Sequence, residues 1–220
     1  MKNIILIAPP AAGKGTQSKM ISALYNIPHI STGDLLRDEV SSGSSMGEYL
    51  KSIMDQGGLI SDDVIVNLLR NRIQQVDCNN GYILDGFPRT LEQAKVYENL
   101  MKEQGLDEGI VIHMDIDQNL ALKRSLDRLI CSSCGASYNK SVPALSPKID
   151  GFCDKCGHTL ATRSDDSEET FNARFVTYVK EATPIIDYYR EKGILKDIIV
   201  GELDSAEDIF NKIKKILENN

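Results

Sequence analysis

Residues 3–17, Asn-Ile-Ile-Leu-Ile-Ala-Pro-Pro-Ala-Ala-Gly-Lys-Gly-Thr-Gln, constrain the chain more than any other stretch. Ile4 to Ile7 form an unbroken apolar run, which suits a strand buried on both faces of a parallel sheet. A loop of small residues and prolines follows, then Gly13-Lys14-Gly15-Thr16, then an amphipathic segment with Met20, Ile21 and Leu24 on one side. A strand, a tight loop and a helix N-terminus collect backbone N–H groups around one point, and the helix dipole makes that point a phosphate cradle. Ala11, Ala12, Gly13, Lys14, Gly15 and Thr16 would line it, Lys14 supplying a mobile positive charge and Thr16 a hydroxyl for Mg²⁺. Two positions depart from the usual pattern. Ala8 stands where such a loop opens with glycine, and Ala11 stands at a further glycine-rich position. A Cβ there crowds a backbone that must approach a phosphate closely or take positive φ.

Downstream, Gly, Pro and capping signals divide the chain into alternating strands and helices. Strand candidates are Ile27–Ile30, Gly81–Asp85, Ile110–Ile116 and Ile194–Val200. Helices are expected through Leu35, Leu36 and Val40, over Met46–Met54, and after Ser61-Asp62-Asp63 with Val64, Ile65, Leu68, Leu69 and Ile73 inward. Others are expected after Thr90-x-x-Gln93 as a capping box, from Asp117 towards Ile130, and as a long helix striped by Phe171, Phe175, Tyr178, Val179 and Ala182 and bent at Pro184. Ser205-x-x-Asp208 opens the last, with Ile209, Ile213, Ile216 and Leu217 inward. This alternation predicts an α/β fold with a doubly wound, mostly parallel five-stranded sheet, whose ligands bind outside the C-terminal ends of the strands. The 220 residues suffice for one sizeable core with small inserts. A formal charge of −7 with no long basic stretch speaks against nucleic-acid binding. Apolar runs are too short to cross a bilayer, and Met-Lys-Asn leads straight into a strand, so the cytoplasm is the expected compartment and no membrane partner is expected.

Asp85-Gly86-Phe87-Pro88-Arg89 closes the Gly81–Asp85 strand. Asp85 at a strand end can hold Mg²⁺ through water, Gly86 admits a ligand to the backbone, and Arg89 can fork two phosphate oxygens. Cys131-x-x-Cys134, eighteen residues, then Cys153-x-x-Cys156 has zinc-ribbon spacing, with Gly135 and Gly157 after the pairs as in knuckle turns. Four thiolates leave no open position, so such a Zn²⁺ is structural and staples a loop-rich segment too small for its own core. Redox pairing or free thiols are the rival reading. His158 is a weak spare ligand, Cys78 is an ordinary packing residue, and His29 and His113 fall in strands as structural residues.

Gly-Lys-Gly-Thr-Gln, Ser-Thr-Gly-Asp-Leu-Leu-Arg and Asp-Gly-Phe-Pro-Arg-Thr, in this order and spacing, resemble the adenylate kinases nearly end to end, in the long bacterial form with a zinc-bearing lid. The resemblance implies a monomer that converts ATP and AMP to two ADP with Mg²⁺. It implies a core (1–30, 61–127 and 165–220), an AMP-binding insert (31–60) and a lid (128–164). It places Thr32, Arg37, Gly58, Leu59, Ile60, Gly86, Phe87, Pro88, Arg89 and Gln93 at AMP. It places Arg124 at the ATP base, Arg128 on the ATP phosphates, and Ser137 and Tyr138 at the lid's ATP contact. Arg163 and Arg174 fall beside the transferring phosphoryl group; both flank Asp165-Asp166-Ser167-Glu168-Glu169, whose first two acids could hold Arg163 or its neighbours in the empty site. Arg124 and Arg128, four apart, are expected on one helix face. Lys14, Arg89, Arg128, Arg163 and Arg174 form the catalytic set. The alternatives are a UMP or CMP kinase, and a nucleotide-binding relative weakened by Ala8 and Ala11.

Overall fold

A computed structural model describes residues 3–55, 60–162 and 166–219. Its strands are β1 (Ile4–Ile7), β2 (His29–Ser31), β3 (Ile83–Asp85), β4 (Ile110–Ile116), β5 (Arg128–Cys131), β6 (Ser137–Asn139), β7 (Leu160–Ala161) and β8 (Leu195–Val200). Its helices are α1 (Lys14–Tyr25), α2 (Thr32–Ser41), α3 (Ser45–Asp55), α4 (Asp62–Ile73), α5 (Leu91–Glu103), α6 (Gln118–Leu126), α7 (Glu168–Glu191) and α8 (Ala206–Glu218).

Five strands make one sheet in the order β2-β3-β1-β4-β8, with β2, β3, β1 and β4 mutually parallel along their pairings. This is the doubly wound α/β architecture expected from the alternation. The Ile-Ile-Leu-Ile of β1 is wholly buried between β3 and β4, which is why it can be apolar at every position. Its register against β4 rests on Gly109, at φ 94°, where any Cβ would overlap the Asn3 carbonyl. That approach lets the Ile110 N–H donate to Asn3 O at 2.8 Å. Pairing of Leu6 with Asp85 and of Ser31 with Asp85 sets that acid at the carboxyl edge of three strands.

The residues group into two compact bodies. One holds Met1–Ile7, Ser18–His113 and Glu181–Lys196; the other holds Ala8–Gln17, Met114–Lys180 and Asp197–Asn220. The second contains an antiparallel sheet of order β6-β5-β7. Its small core is Leu129, Cys131, Tyr138 and Cys153, with Ala136 and Leu160 against them.

Several expectations shift. β2 starts at His29 rather than Ile27. Leu24 lies 48% exposed, off the buried side of α1, and Val179 is exposed on α7. On α4 it is Val66, with Leu69 and Ile73, that is fully buried; Val64, Ile65 and Leu68 are only half covered. The helix from Asp117 stops at Leu126, and Arg128-Leu129-Ile130-Cys131 is a strand of alternating burial. The capping box at Ser205 and Asp208 forms as read. Among the described residues no helix is long and apolar enough to cross a membrane.

Candidate active site

The phosphate-type loop lies in the second body. The Ala12 N–H donates to Pro9 O at 3.4 Å, and the Thr16 and Gln17 N–H groups donate to Gly13 O at 3.0 and 3.1 Å. These bonds turn the chain directly into α1, whose first residue is Lys14. Gly13 sits at φ 94° and Ala11 at φ 62°. The alanine therefore occupies the left-handed region that the sequence reserves for glycine, at a cost of about 1–2 kcal/mol. Ala8 is buried at the end of β1 without a positive φ.

Arg124, on α6, is only 8% exposed, and its Nη2 donates to Gly201 O at 3.0 Å and Asp204 O at 3.4 Å. Burial lowers its pKa, opposed by nearby Asp204. The Asp204 carboxylate accepts from the Gly201 N–H at 2.7 Å and from Lys212 Nζ at 2.5 Å. Burial works against its charge, yet Lys212 and the Gly201 N–H hold its carboxyl below the usual range. From α1, Gln17 Nε2 reaches Ala206 O at 2.9 Å. The loop 201–204, to which the sequence assigns no role, is thus the anchor of Arg124. On its other side the Arg124 carbonyl accepts from Asn139 Nδ2 at 2.7 Å, and Asp127 O accepts from the Lys140 N–H at 2.9 Å.

Arg128 opens β5, so it does not share a helix face with Arg124; the helix ends first, at Leu126. Its guanidinium forks the Asp166 carboxylate, Nε to Oδ2 at 2.8 Å and Nη2 to Oδ1, and Ser125 Oγ adds a bond at 3.3 Å. Asp166 therefore holds Arg128. Arg163 and Asp165 lie outside the described residues, and Arg174 is exposed on α7. Ser137 is exposed, whereas Tyr138 is buried, its hydroxyl bonded to Cys153 Sγ at 3.4 Å and accepting the Asp154 N–H at 2.8 Å. The Tyr138 side chain serves the cysteines.

All four Sγ atoms of Cys131, Cys134, Cys153 and Cys156 lie within 4.8 Å of one another. The Cys131–Cys156 and Cys134–Cys153 separations are 3.4 and 3.5 Å. A zinc tetrahedron with bonds of about 2.3 Å has edges of about 3.8 Å, so the cluster fits one ion. The two halves repeat one turn: Gly135 N–H to Cys131 O at 3.0 Å and Gly157 N–H to Cys153 O at 2.8 Å, with φ 67° and 74°. The Tyr138 hydroxyl, with the Lys155 and Cys156 N–H groups, pulls the Cys153 thiol down to about 6. The Ala136 N–H favours the Cys134 thiolate, but its three cysteine neighbours outweigh it and push that thiol up to about 12. Four thiolates cannot coexist there without a cation. His158 is exposed, and its Nδ1 meets Cys156 O at 3.3 Å, outside the cluster. Cys78 is buried beside Arg72.

The remaining candidates sit in the first body. Thr32 is the first residue of α2, after the N-cap Ser31, and its Oγ1 donates to Gly86 O at 3.2 Å. Arg89 Nε donates to the same oxygen at 2.8 Å. At φ 80°, Gly86 leaves room that a Cβ would close, 3.2 Å from Arg89 Nη2 and 3.3 Å from Thr32 Oγ1. Phe87 is buried, joined to Pro88 by a cis bond. Arg37 is exposed and paired with Asp34 at 2.5 Å. Asp85 meets His29 Nε2 at 3.0 Å. Ile60 is half-buried; Gly58 and Leu59 lie outside the described residues. The Gln93 N–H donates to Thr90 Oγ1 at 3.2 Å, but its side-chain oxygen accepts from the Arg89 N–H at 2.7 Å rather than closing the box on Thr90.

The family described as Adenylate kinase matches residues 6–194. An adenylate kinase of Archaeoglobus fulgidus is 44% identical over 216 residues, covering 98% of each chain. One from Clostridium tetani is 40% identical over 215 residues, again 98% of each, and one from Thermosipho africanus 41% over 215 residues. The chain belongs to the adenylate kinase family. Within this adenylate kinase framework, three partners escaped sequence reading: His29 against Asp85, Asp62 against Gln93 at 2.6 Å, and the 201–204 loop against Arg124. Only the first had a local signal, since His29 opens β2 and Asp85 closes the neighbouring β3, two positions beyond its register partner Ile83.

Proposed function

We propose that the chain catalyses reversible, Mg²⁺-dependent phosphoryl transfer from ATP to AMP, giving two ADP. The observation that carries this is similarity to adenylate kinases over 98% of the chain, with Gly13-Lys14-Gly15-Thr16 opening α1. The acceptor is a phosphate already ionised at neutral pH, so no general base is required and the work is positioning and charge neutralisation. ATP engages Ala11–Thr16, Arg124, Arg128, Ser137 and the Tyr138 backbone; AMP engages Thr32, Arg37, 58–60, 86–89, Gln93, Arg163 and Arg174. Lys14, Arg89, Arg128, Arg163 and Arg174 gather on the phosphates. Before it reaches ATP, Arg128 has to exchange the Asp166 carboxylate for phosphate oxygens, a like-for-like fork.

An insert (31–60) and a lid (128–164) closing on the core (1–30, 61–127 and 165–220) assemble these cations only when nucleotide charge is present, and exclude water. The chemistry Mg²⁺ would supply when bound is neutralisation of phosphate charge. Thr16 and, through water, Asp85 would hold it; a single carboxylate oriented by His29 suits a largely hydrated ion. The four cysteines hold a structural Zn²⁺ in the lid. The enzyme works as a cytoplasmic monomer. A coupled assay for ADP formed from ATP and AMP, with and without Mg²⁺, tests the reading; no Mg²⁺-dependent ADP would overturn it.

A further inference from the structure

We propose that Asp62 is a specificity-determining positioning residue: with the Arg89 N–H, it fixes the polarity of the Gln93 carboxamide that reads the base of the monophosphate. The inference rests on the assignment of Gln93 to that base. Gln93 is 4% exposed, at the start of α5. Its Nε2 donates to Asp62 Oδ1, the first residue of α4, at 2.6 Å, and its Oε1 accepts from the Arg89 N–H at 2.7 Å. An ionised carboxylate only accepts and a backbone N–H only donates. Turning the amide over would set Oε1 against the carboxylate and Nε2 against the N–H, two repulsive contacts on a buried glutamine, although Asp62 itself is exposed. The amide therefore has one orientation, with one N–H and one lone pair left to offer.

That remaining pair is a code. Adenine sets its N6 donor beside an acceptor, at N1 or N7. Hypoxanthine places an acceptor, O6, where adenine has the donor, and a donor at N1. A carboxamide of fixed polarity meets adenine with two good bonds and hypoxanthine with two bad ones; a reversible amide serves both. The same argument admits cytosine and rejects uracil. Asp62, which does not touch the nucleotide, thereby decides what Gln93 can read.

The test is kcat/KM for AMP and for IMP, at saturating Mg-ATP, in wild type, Asp62→Asn, Asp62→Glu and Gln93→Leu, with Tm and KM for ATP alongside. Asparagine presents either a donor or an acceptor, so Asp62→Asn should cut the AMP:IMP preference about tenfold, with KM for ATP unchanged. Asp62→Glu, still acceptor-only, should restore most of it. Any fall in Tm leaves the ratio readable, because both substrates meet the same folded fraction. An unaltered ratio in Asp62→Asn, with Gln93→Leu losing the preference, would overturn the role of Asp62 alone. A full preference in Gln93→Leu would overturn the assignment of Gln93 itself.

Discussion

Replacing Ala11 by glycine should stabilise the chain, and the same change at Ala8 should destabilise it. Ala11 is held at φ 62°, where an L-residue is about 1–2 kcal/mol worse off than in the right-handed region. Glycine removes that strain but starts from a freer unfolded chain, which costs about 0.4–1 kcal/mol. The balance is a gain of about 0.5–1 kcal/mol. At Ala8 there is no positive φ to relieve, and the methyl is buried. Glycine there bears the same entropic cost and forfeits about 0.8 kcal/mol of burial, a loss of about 1–2 kcal/mol. In a chain of 220 residues each kcal/mol moves Tm by about 2–4 °C. Thermal unfolding followed by circular dichroism should show Ala11→Gly melting above wild type, Ala8→Gly below it, and the double variant near or below it. If Ala11→Gly melts no higher than wild type, the strain assigned to the loop is not there. The companion measurement is the KM for ATP, which should fall in Ala11→Gly if the strain opposes closure around phosphate.

Three further outcomes are expected. Chelation, or Cys153→Ser, should release one zinc per chain by metal analysis and lower the calorimetric Tm of the lid transition, while ADP formation persists below that temperature. Asp204→Ala removes the carboxylate that ties Gly201 to Lys212, so the carbonyls holding Arg124 loosen; loss of about 1 kcal/mol at the base would raise KM for ATP about fivefold with KM for AMP unchanged. The Glu98 carboxyl, bonded by Lys102, Tyr188 and Lys192, is drawn from 4.5 down to about 2. A depressed folded value means its contribution is whole above pH 4.5 and is lost as pH falls towards 2. Denaturant titrations across that window should show Glu98→Gln with a shallower pH dependence than wild type.

The fold was legible wherever the sequence carried one period without competition. β1 is apolar at every position because it is central, and Ser205 with Asp208 forms the cap its spacing announces. Misreadings came where two periods overlap. Residues 118–131 carry apolar positions compatible with a continuing helix, yet Leu129 and Cys131 alternate with Arg128 and Ile130, and the pairing of Leu129 with Tyr138 decides for strand. Helical spacing points Leu24 inward, but the buried side of α1 is taken by Gln17, Ser18 and Ile21. In the candidate site, the cysteine cluster was readable because four ligands at fixed spacing define their own geometry. The fork of Arg128 on Asp166 and the anchoring of Arg124 by Gly201 were not, since 38 and 77 residues separate the partners. The Thr90 box shows the same limit on a small scale: its spacing is right, but the glutamine oxygen takes the N–H one residue earlier.

The two bonds that join β6 to the end of α6 bear on how a lid here can swing. Asn139 grips the carbonyl of Arg124 and Lys140 that of Asp127, so the hairpin that carries the cysteine cluster is bolted to the last turn of the helix. Arg124 is then a shared axle, its peptide oxygen fastened to Asn139 of β6 and its guanidinium to the carbonyl of Gly201. On the proposed assignments of residues 128–164 to a lid and of Arg124 to the donor base, tilting the one would transmit torque straight to the other.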